Sequence, residues 1–173
     1  AGPGINPKFY KTGNNYFIAQ GSMDHRGREI NKINRKEIET IRDTLVERQI
    51  KYVGVIGKFS TRNPDHENEI TEILSGSFEK VFKGHQISGN LNFPRRISTT
   101  YLNASVYSIH RLFFEAVRDS LKEKGLSIPI HILKADGGTM NFESSIDFPG
   151  QTVLSGPAAS AMGAIAFAPE NQD

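Results

Sequence analysis

Strand-like and helix-like segments alternate in the middle of the chain, and this alternation constrains the fold more than any other feature. Residues 51–59 are rich in β-branched and aromatic side chains, which is typical of a strand. Asn63 and Pro64 then mark a helix start, with Asn63 as the cap and Pro64 in the first turn. Residues 81–88 form a second strand-like run. Because a helix separates the two strands, the pattern predicts parallel pairing with a right-handed crossover.

Weaker patterns predict the elements that precede this unit. Residues 9–30 alternate through 16–19 and then reach the polar, Gly-containing stretch 24–28, which is typical of a hairpin turn. A two-stranded ribbon is therefore expected at the N-terminus. Asn34, followed three residues later by Glu37, predicts the capped start of a first helix that ends near residue 48.

A long helix and a final apolar segment dominate the second half of the chain. Residues 102–121 place apolar side chains at steps of three and four across nearly six turns, and Gly125 is a suitable left-handed terminator. Residues 129–133 read as a strand. Residues 158–168 are almost all small and apolar, which predicts a helix that packs closely against a part of the protein outside these residues.

Together these segments predict one α/β domain over residues 1–173, with a layered sheet of mostly parallel strands and flanking helices. Its parts are a β-ribbon (1–31), an α/β layer (32–154) and a helix leading to a missing lobe (155–168). The Ala-Gly-Pro-Gly start and the polar end, 168–173, give the expectation of an excised central fragment of a longer chain.

Composition narrows the functional classes. The 21 Lys and Arg residues nearly balance 19 Asp and Glu residues, so the net charge of +2 gives no electrostatic reason to expect a nucleic acid or an anionic membrane as partner. No apolar run approaches the roughly 20 residues that cross a bilayer. The absence of Cys fits a reducing compartment, and a cytoplasmic location is expected.

Asp136-Gly137-Gly138-Thr139 is the first candidate for binding a nucleotide or substrate. Glycines let a backbone approach an anion and direct successive N–H groups at it. The segment follows a predicted strand, at the sheet edge where open α/β folds bind ligands, and Asp136 could hold a metal-bound water. The alternative is an ordinary turn or packing device.

Ser155-Gly156 is the second candidate, because it opens the final predicted helix. Free N–H groups and the positive end of a helix dipole attract anions at such a position. The alternative is that Ser155 simply caps the helix.

Other polar residues give weaker indications. Arg96 could bind a phosphate or carboxylate through its planar fork, although an Arg pair such as Arg95-Arg96 is more often a solvated surface. His66-Glu67 is expected to contribute capping and surface charge. No spacing of histidines and acids builds a metal cage, and Ser98-Thr99-Thr100 has no base spaced to activate a nucleophile, so catalytic residues and metal ligands stay unassigned.

Several of these stretches, in this order, resemble the hydantoinase/oxoprolinase family of ATP-dependent hydantoinases, 5-oxoprolinases and subunits of acetone-type carboxylases. The stretches are 59–60 and 63–67 (Phe-Ser and Asn-Pro-Asp-His-Glu), 96–104 (Arg-Ile-Ser-Thr-Thr-Tyr-Leu-Asn-Ala), 136–138 (Asp-Gly-Gly), 154–159 (Leu-Ser-Gly-Pro-Ala-Ala) and 163–164 (Gly-Ala). The family normally has an acidic residue before the Arg of the second stretch, where this chain has Arg95.

The resemblance implies a two-lobed, actin-like ATPase of the ribonuclease H-like class, with ATP and Mg²⁺ as cofactors of the complete protein. It implies ring opening of a cyclic imide or lactam after phosphoryl activation. The implied partners are the remainder of the polypeptide, a second, hydantoinase B-like subunit and the cyclic amide. The family's own Asp-x-Gly-Gly-Thr phosphate loops lie outside these residues, so the fragment alone is expected to be inactive. The alternatives are a non-catalytic interaction module of the same fold and a carboxylase subunit.

Overall fold

The structure is a computed structural model that describes residues 6–11, 13–89 and 91–168. The two chain ends on which the prediction of an excised fragment depends lie largely outside the described residues. Contacts divide the chain into two compact units, Ala1–Ser105 and Val106–Asp173. The long helix α4 contributes residues to both units.

The first unit begins with a short 3₁₀ turn and an antiparallel hairpin. The turn spans Pro7–Tyr10, and strands β1 (Ser22–Met23) and β2 (Glu29–Asn31) pair with Ser22 opposite Asn31. The Asp24 carboxylate accepts the backbone N–H groups of Arg26 and Arg28, at 2.8 and 2.9 Å, and so organises the hairpin turn. The predicted ribbon is confirmed, but its first strand lies later than the predicted 16–19.

Helix α1 (Arg35–Glu47) matches its prediction. The Asn34 side chain accepts the backbone N–H of Glu37 at 3.3 Å, which satisfies one of the free donors of the first turn. Ile38 and Leu45 are buried on its inner face.

The predicted parallel βαβ unit is confirmed. Strand β3 (Tyr52–Val55) pairs in parallel with β4 (Lys80–Lys83), with helix α2 (Asp65–Leu74) between them. Helix α2 begins one residue later than predicted, because Pro64 is its capping position, while the Asn63 side chain still accepts the Asp65 N–H at 2.9 Å.

The second strand of that unit is shorter than the predicted 81–88, because a helical turn, α3 (Gly84–Ile87), follows β4 directly. The backbone N–H of His85 donates to the Glu67 carboxylate at 3.0 Å, so it is used outside the strand ladder. The core of the unit consists of Ile38, Val55 and Leu74. Half-buried apolar neighbours come from α1, α2 and both strands, and Ala19 and Phe78 add to them from connecting segments.

Helix α4 (Phe93–Glu123) is the longest element, with 31 residues. It begins nine residues before the apolar spacing of residues 102–121 from which the helix was predicted. The Asn92 side chain accepts the N–H of Arg95 at 3.1 Å, and Pro94 stands in the first turn, where no N–H is needed. Gly125 follows the helix with φ +69°, as predicted.

The buried side chains of α4 include several polar ones. Arg96, Thr100, Asn103 and His110 are buried, together with the apolar Ile97 and the aromatic Tyr107. The apolar stripe whose spacing predicted the helix is largely accessible, with Ile109 79% exposed.

The second unit continues with a hairpin and two helices. Strands β5 (His131–Leu133) and β6 (Thr139–Asn141) are antiparallel. They are followed by α5 (Phe142–Asp147), a 3₁₀ turn (Pro149–Gln151) and α6 (Ser155–Phe167).

The predicted layered sheet with mostly parallel strands is wrong. Within the described residues the strands form three separate pairs, of which β3–β4 is parallel and the other two are antiparallel. Five residues connect β5 to β6, whereas a parallel crossover needs about a dozen. No helix in the described ranges combines the length and apolar character that crossing a membrane requires.

Candidate functional site

A buried carboxylate lies at the carboxyl edge of the parallel strands. Glu67, on α2, is only 1% exposed. Its Oε1 accepts the N–H of Gly57, two residues after β3, at 2.7 Å. Its Oε2 accepts the N–H of His85, two residues after β4, at 3.0 Å and lies 2.5 Å from Nδ1 of the same residue. One carboxylate therefore joins the loop after β3 to the start of α3.

Arg96 adds the opposite charge to this cluster from the first turns of α4. Its side chain is fully buried, and Nη2 donates to the carbonyls of Gly57 and Lys58 at 2.9 and 2.5 Å. Burial lowers the pKa of Arg96 from its ordinary value, and the nearby Glu67 charge opposes that effect. The guanidinium stays protonated at neutral pH. Arg96 thus holds the loop after β3, and ligand binding through its fork stays a prediction.

The cluster also corrects the prediction for Glu67, which is not a surface charge. The nearby glycines make room for its carboxylate, since a Cβ on Gly84 would lie 3.1 Å from Oε1. Sequence spacing gave no sign of this arrangement. The only signal was that Glu67 and Arg96 both stand in stretches that carry the family resemblance.

The Asp136 segment closes the β5–β6 hairpin in the second unit. Oδ1 of Asp136 accepts the N–H of Gly138, and Oδ2 accepts Nζ of Lys134, both at 2.9 Å. The Lys134 hydrogen bond, followed by that from Gly138, holds the pKa of the exposed Asp136 carboxyl below its usual value. Thr139 begins β6 opposite Leu133 and is exposed.

This turn satisfies its own polar groups. The N–H of Gly137 donates to the Lys134 carbonyl at 3.1 Å, so both glycine N–H groups are used within the turn. Gly137 has φ +84°, and a Cβ there would lie 2.9 Å from Cγ of Met162 on α6. The segment follows a strand as predicted, but it joins antiparallel strands and does not stand at the edge of a parallel sheet. The conformation and packing account for Gly137 without a ligand.

Ser155-Gly156 lies at the start of α6, and Ser155 does not cap the helix. The capping position is Leu154, in a left-handed conformation with φ +66°, and no side chain caps the first turn. The N–H of Ser155 donates to the Thr152 carbonyl at 3.1 Å. A Cβ on Gly156 would meet nothing within 4 Å, so packing within the described chain does not require this glycine.

A buried histidine supports the second unit. His110 is 8% exposed, its Nδ1 lies 3.4 Å from Oγ1 of Thr152, and its ring stacks on Phe114 at 4.5 Å. Burial lowers the pKa of His110, and a hydrogen bond with the Ser145 backbone opposes this shift.

The described residues do not by themselves provide a cluster of metal-ligating side chains. In the described ranges no three His, Cys, Asp or Glu residues group together as metal ligands. Both Asp136 oxygens already accept hydrogen bonds. The role of these residues therefore does not include holding a catalytic metal on their own.

Comparison with known proteins reveals relatives in sequence and fold. A profile described as the hydantoinase/oxoprolinase N-terminal region matches residues 7–78, and one described as hydantoinase/oxoprolinase matches residues 96–173. The chain is 27% identical over 153 residues to an uncharacterized protein of Methanocaldococcus jannaschii. It is 24% identical over 150 residues to the caprolactamase subunit alpha of Pseudomonas jessenii.

These matches cover 87% and 86% of the chain but only 22% of each relative, so the chain spans about a fifth of their length. Among solved structures, nucleotide-free acetone carboxylase is similar with a TM-score of 0.75 and 18% identity, over 84% of this chain and 21% of that one. The ATP-dependent caprolactamase of Pseudomonas jessenii is similar with a TM-score of 0.71 and 23% identity, over 88% and 23%. These two structures share the fold. With two profiles of one family matching most of its length, the chain belongs to the hydantoinase/oxoprolinase family.

Proposed function

We propose that this chain is a segment of an ATP-dependent enzyme that opens a cyclic imide or lactam, and that it forms one wall of the nucleotide or substrate cleft. Family membership supports the proposal, as does the similarity to a caprolactamase, whose name describes ATP-dependent action on a lactam. The actin-like architecture of two lobes belongs to the same proposal.

The proposed chemistry explains why such an enzyme consumes ATP. ATP supplies a phosphoryl group to the amide oxygen with release of ADP, after which two water molecules are consumed as the ring C–N bond breaks and phosphate leaves. An amide carbon attached to a phosphorylated oxygen is far more electrophilic than the free amide. The protein contributes by positioning the reactants and by placing N–H donors near the developing negative charge.

The observation that carries the proposal for this chain is the start of α6. Its first turn has no side-chain cap, it follows a left-handed Leu154, and Gly156 opens onto free space. A left-handed conformation is costly for a non-Gly residue and is enriched at functional sites. Uncapped N–H groups at the positive end of a helix are suited to an anion. We assign Ser155 and Gly156 to the binding of a phosphate or carboxylate group.

The Asp136 turn has a supporting role in this arrangement. Because the N–H groups of Gly137 and Gly138 are used within the turn, we assign Asp136, Gly138 and Thr139 to a wall beside α6 and not to a phosphate cradle. Lys134 carries the positive charge of this turn, and its Nζ forms an ion pair with Oδ2 of Asp136 at 2.9 Å. Lys134 would balance the charge of a bound anion if it rotated away from Asp136.

The rest of α6 is proposed to dock onto the remainder of the polypeptide or onto a second, hydantoinase B-like subunit. The 13 residues of the helix include no charged residue, and none is buried in the described structure. Ile165 and Phe167 are 70% and 90% exposed. A cytoplasmic location stays a prediction that the absence of Cys supports.

Calorimetric titration of this chain with Mg-ATP tests the nucleotide part of the proposal. Gly156→Val, which adds a branched side chain at the uncapped turn, should weaken any binding at least about tenfold, equivalent to about 1.4 kcal/mol. Glu143→Gln changes an exposed residue of the same unit and should leave the binding unchanged. If the parent and Gly156→Val bound Mg-ATP equally well, the start of α6 would not be part of the nucleotide site.

Product analysis with the complete polypeptide tests the reaction. ADP release that depends on hydantoin, 5-oxoproline or caprolactam would support the ring-opening reaction. ADP release that depends on bicarbonate and a ketone would support the carboxylase alternative. An absence of ATP consumption with every compound, together with capture of a partner subunit through α6, would support the non-catalytic interaction module.

A further inference from the structure

Two histidines in the described part of the first unit contact a glutamate, and the two pairs differ in burial. Nε2 of His66 lies 2.8 Å from Oε1 of Glu29, whose side chain is 39% exposed. Pairs as exposed as this one contribute little to stability. Nδ1 of His85 lies 2.5 Å from Oε2 of Glu67, whose side chain is only 1% exposed. The second pair is therefore held away from solvent, which strengthens the interaction between its members.

The His85 ring is held in one orientation. The backbone N–H of His85 donates to Oε2 of Glu67 at 3.0 Å, so the backbone and the ring of one residue contact the same oxygen. The other oxygen, Oε1, accepts the N–H of Gly57 at 2.7 Å. The carboxylate cannot turn without breaking both backbone hydrogen bonds. It therefore fixes the direction of the imidazole, as a supporting carboxylate does for a functional histidine.

The contact with Glu67 also decides which ring nitrogen carries the hydrogen. A carboxylate accepts hydrogen bonds and does not donate them, so Nδ1 of His85 donates. In the neutral ring, Nε2 then has a lone pair and no hydrogen. Within the described residues Nε2 has no hydrogen-bond partner, and the side chain is 18% exposed. A lone pair of fixed direction is thus available to accept a proton from a ligand.

A purely structural role for His85 is the competing interpretation, because the ring could simply satisfy a buried carboxylate. Glu67 does not depend on the ring for this, since both of its oxygens accept backbone N–H groups. The positive charge of the buried Arg96 also interacts with Glu67. Polar atoms of largely buried side chains nearly always have partners in a finished structure. The unpartnered Nε2 therefore favours a functional role.

The position of His85 in the fold agrees with that role. Helix α3 begins directly after β4, so His85 stands at the edge where the parallel strands β3 and β4 end. Open α/β folds bind their ligands outside the carboxyl ends of such strands. Gly84 leaves room for the carboxylate beside the ring, since a Cβ there would lie 3.1 Å from Oε1 of Glu67.

We propose that His85 is the general base of the ring-opening reaction and that Glu67 is its positioning residue; this assignment rests on the proposed function. Nε2 takes a proton from a water molecule as the water oxygen bonds to the phosphorylated amide carbon. The same proton then passes to the ring nitrogen, which leaves as an amine when the C–N bond breaks. The hydroxyl proton goes to solvent, and the acyl phosphate that remains is cleaved by the second water. The Glu67 charge stabilises the imidazolium between the two transfers.

Kinetics of the complete polypeptide with ATP and a cyclic amide test the assignment. In His85→Asn, the side-chain N–H₂ can still donate to Glu67, but nothing replaces Nε2. The kcat for ring opening should fall by about 10²- to 10⁴-fold, while thermal unfolding stays close to that of the parent. His85→Ala should lose a similar factor and regain part of it with added imidazole. The control is His25→Ala, which removes an exposed histidine of the hairpin turn and should leave kcat unchanged.

The outcomes separate this assignment from the proposed function. If the parent opened no cyclic amide, the proposed function and the role of His85 would both fail. If the parent were active and His85→Asn kept its kcat, only the role of His85 would be overturned. A loss in His85→Ala that imidazole does not restore would also overturn it. Nitrogen-15 NMR of the present chain at about pH 8 checks the tautomer, and a hydrogen on Nε2 of His85 would contradict the proposal as well.

Discussion

The two units of this chain differ in what they bury: the first buries charged side chains, whereas the second leaves an apolar helix exposed. In the first, the opposite charges of Glu67 and Arg96 are buried and bonded to backbone groups of the loop after β3 and of α3. In the second, helix α6 has no charge, and none of its apolar side chains is buried. A buried and bonded charge shows that the chain itself completes that environment. The exposed apolar helix leaves its side chains in contact with solvent, and the docking of this surface stays a proposal.

Removing the Glu67 carboxylate should give the largest effect, because Arg96 would then be buried without its nearby negative charge. We expect Glu67→Ala to lower the free energy of unfolding by about 3–5 kcal/mol. Urea unfolding followed by circular dichroism measures this change. The control is Glu72→Ala, which removes an exposed carboxylate from the same helix and should change stability by less than about 0.5 kcal/mol. Equal effects of the two variants would show that the cluster contributes little.

A second test concerns the close approach of β3 and α4 in the first unit. A Cβ on Gly54 would lie 2.8 Å from Cγ2 of Thr100. Gly54→Ala should therefore destabilise the chain by about 1–3 kcal/mol through overpacking. Adding Thr100→Ser removes the methyl group in question, so the double variant should recover part of the loss in urea unfolding. If the double variant recovered no stability, the strain would lie somewhere other than the contact between positions 54 and 100.

The pH dependence of stability tests the buried histidine of the second unit. The pKa of His110 is lowered by burial, so between that value and the unfolded value of about 6.5 the unfolded state binds more protons. Stability should consequently fall as the pH drops below about 6.5, by up to about 1.4 kcal/mol per pH unit from this group. Urea unfolding measured between about pH 5 and about pH 8, where histidines titrate, checks this. The free energy of unfolding should depend less on pH in His110→Gln than in the parent chain. An identical slope would contradict the effect of burial.

The smallest expected effect has the opposite sign. A Cβ on Gly163 of α6 would meet nothing within 4 Å, so Gly163→Ala should stabilise the chain by up to about 1 kcal/mol through helix propensity. Thermal unfolding measures the gain. Gly137→Ala is the matched control, and it should destabilise because φ is +84° and Met162 lies close. A loss of stability in Gly163→Ala would show that α6 already packs tightly within this chain.

The sequence predicted those elements that depend on local chemistry. The cap at Asn34, the parallel βαβ unit and the terminator Gly125 all follow from residues close together in the chain, and all are confirmed. The sequence predicted a strand near β5 but none at β6, and the general expectation of mostly parallel strands was wrong here because periodicity alone does not reveal which strands pair. The five residues that connect β5 to β6 are a hairpin length, too short for a parallel crossover.

The candidate sites were predicted less completely, because their environment depends on distant residues. The Asp136 turn and the start of α6 were identified from their glycines, but the use of the turn's own N–H groups depends on three-dimensional geometry. Glu67 was misjudged as a surface charge since its partners lie 10, 18 and 29 positions away, at Gly57, His85 and Arg96. Only the family resemblance marked its stretch as important.

The Glu67 cluster limits how this part of the molecule can evolve. A side chain at position 84 would press on the carboxylate, and the N–H groups at positions 57 and 85 depend on its presence. A change at any one of these positions therefore alters the effect of a change at the others. We expect substitutions at these positions to be accepted only in combination, so that the loop after β3 and the start of α3 change together during evolution.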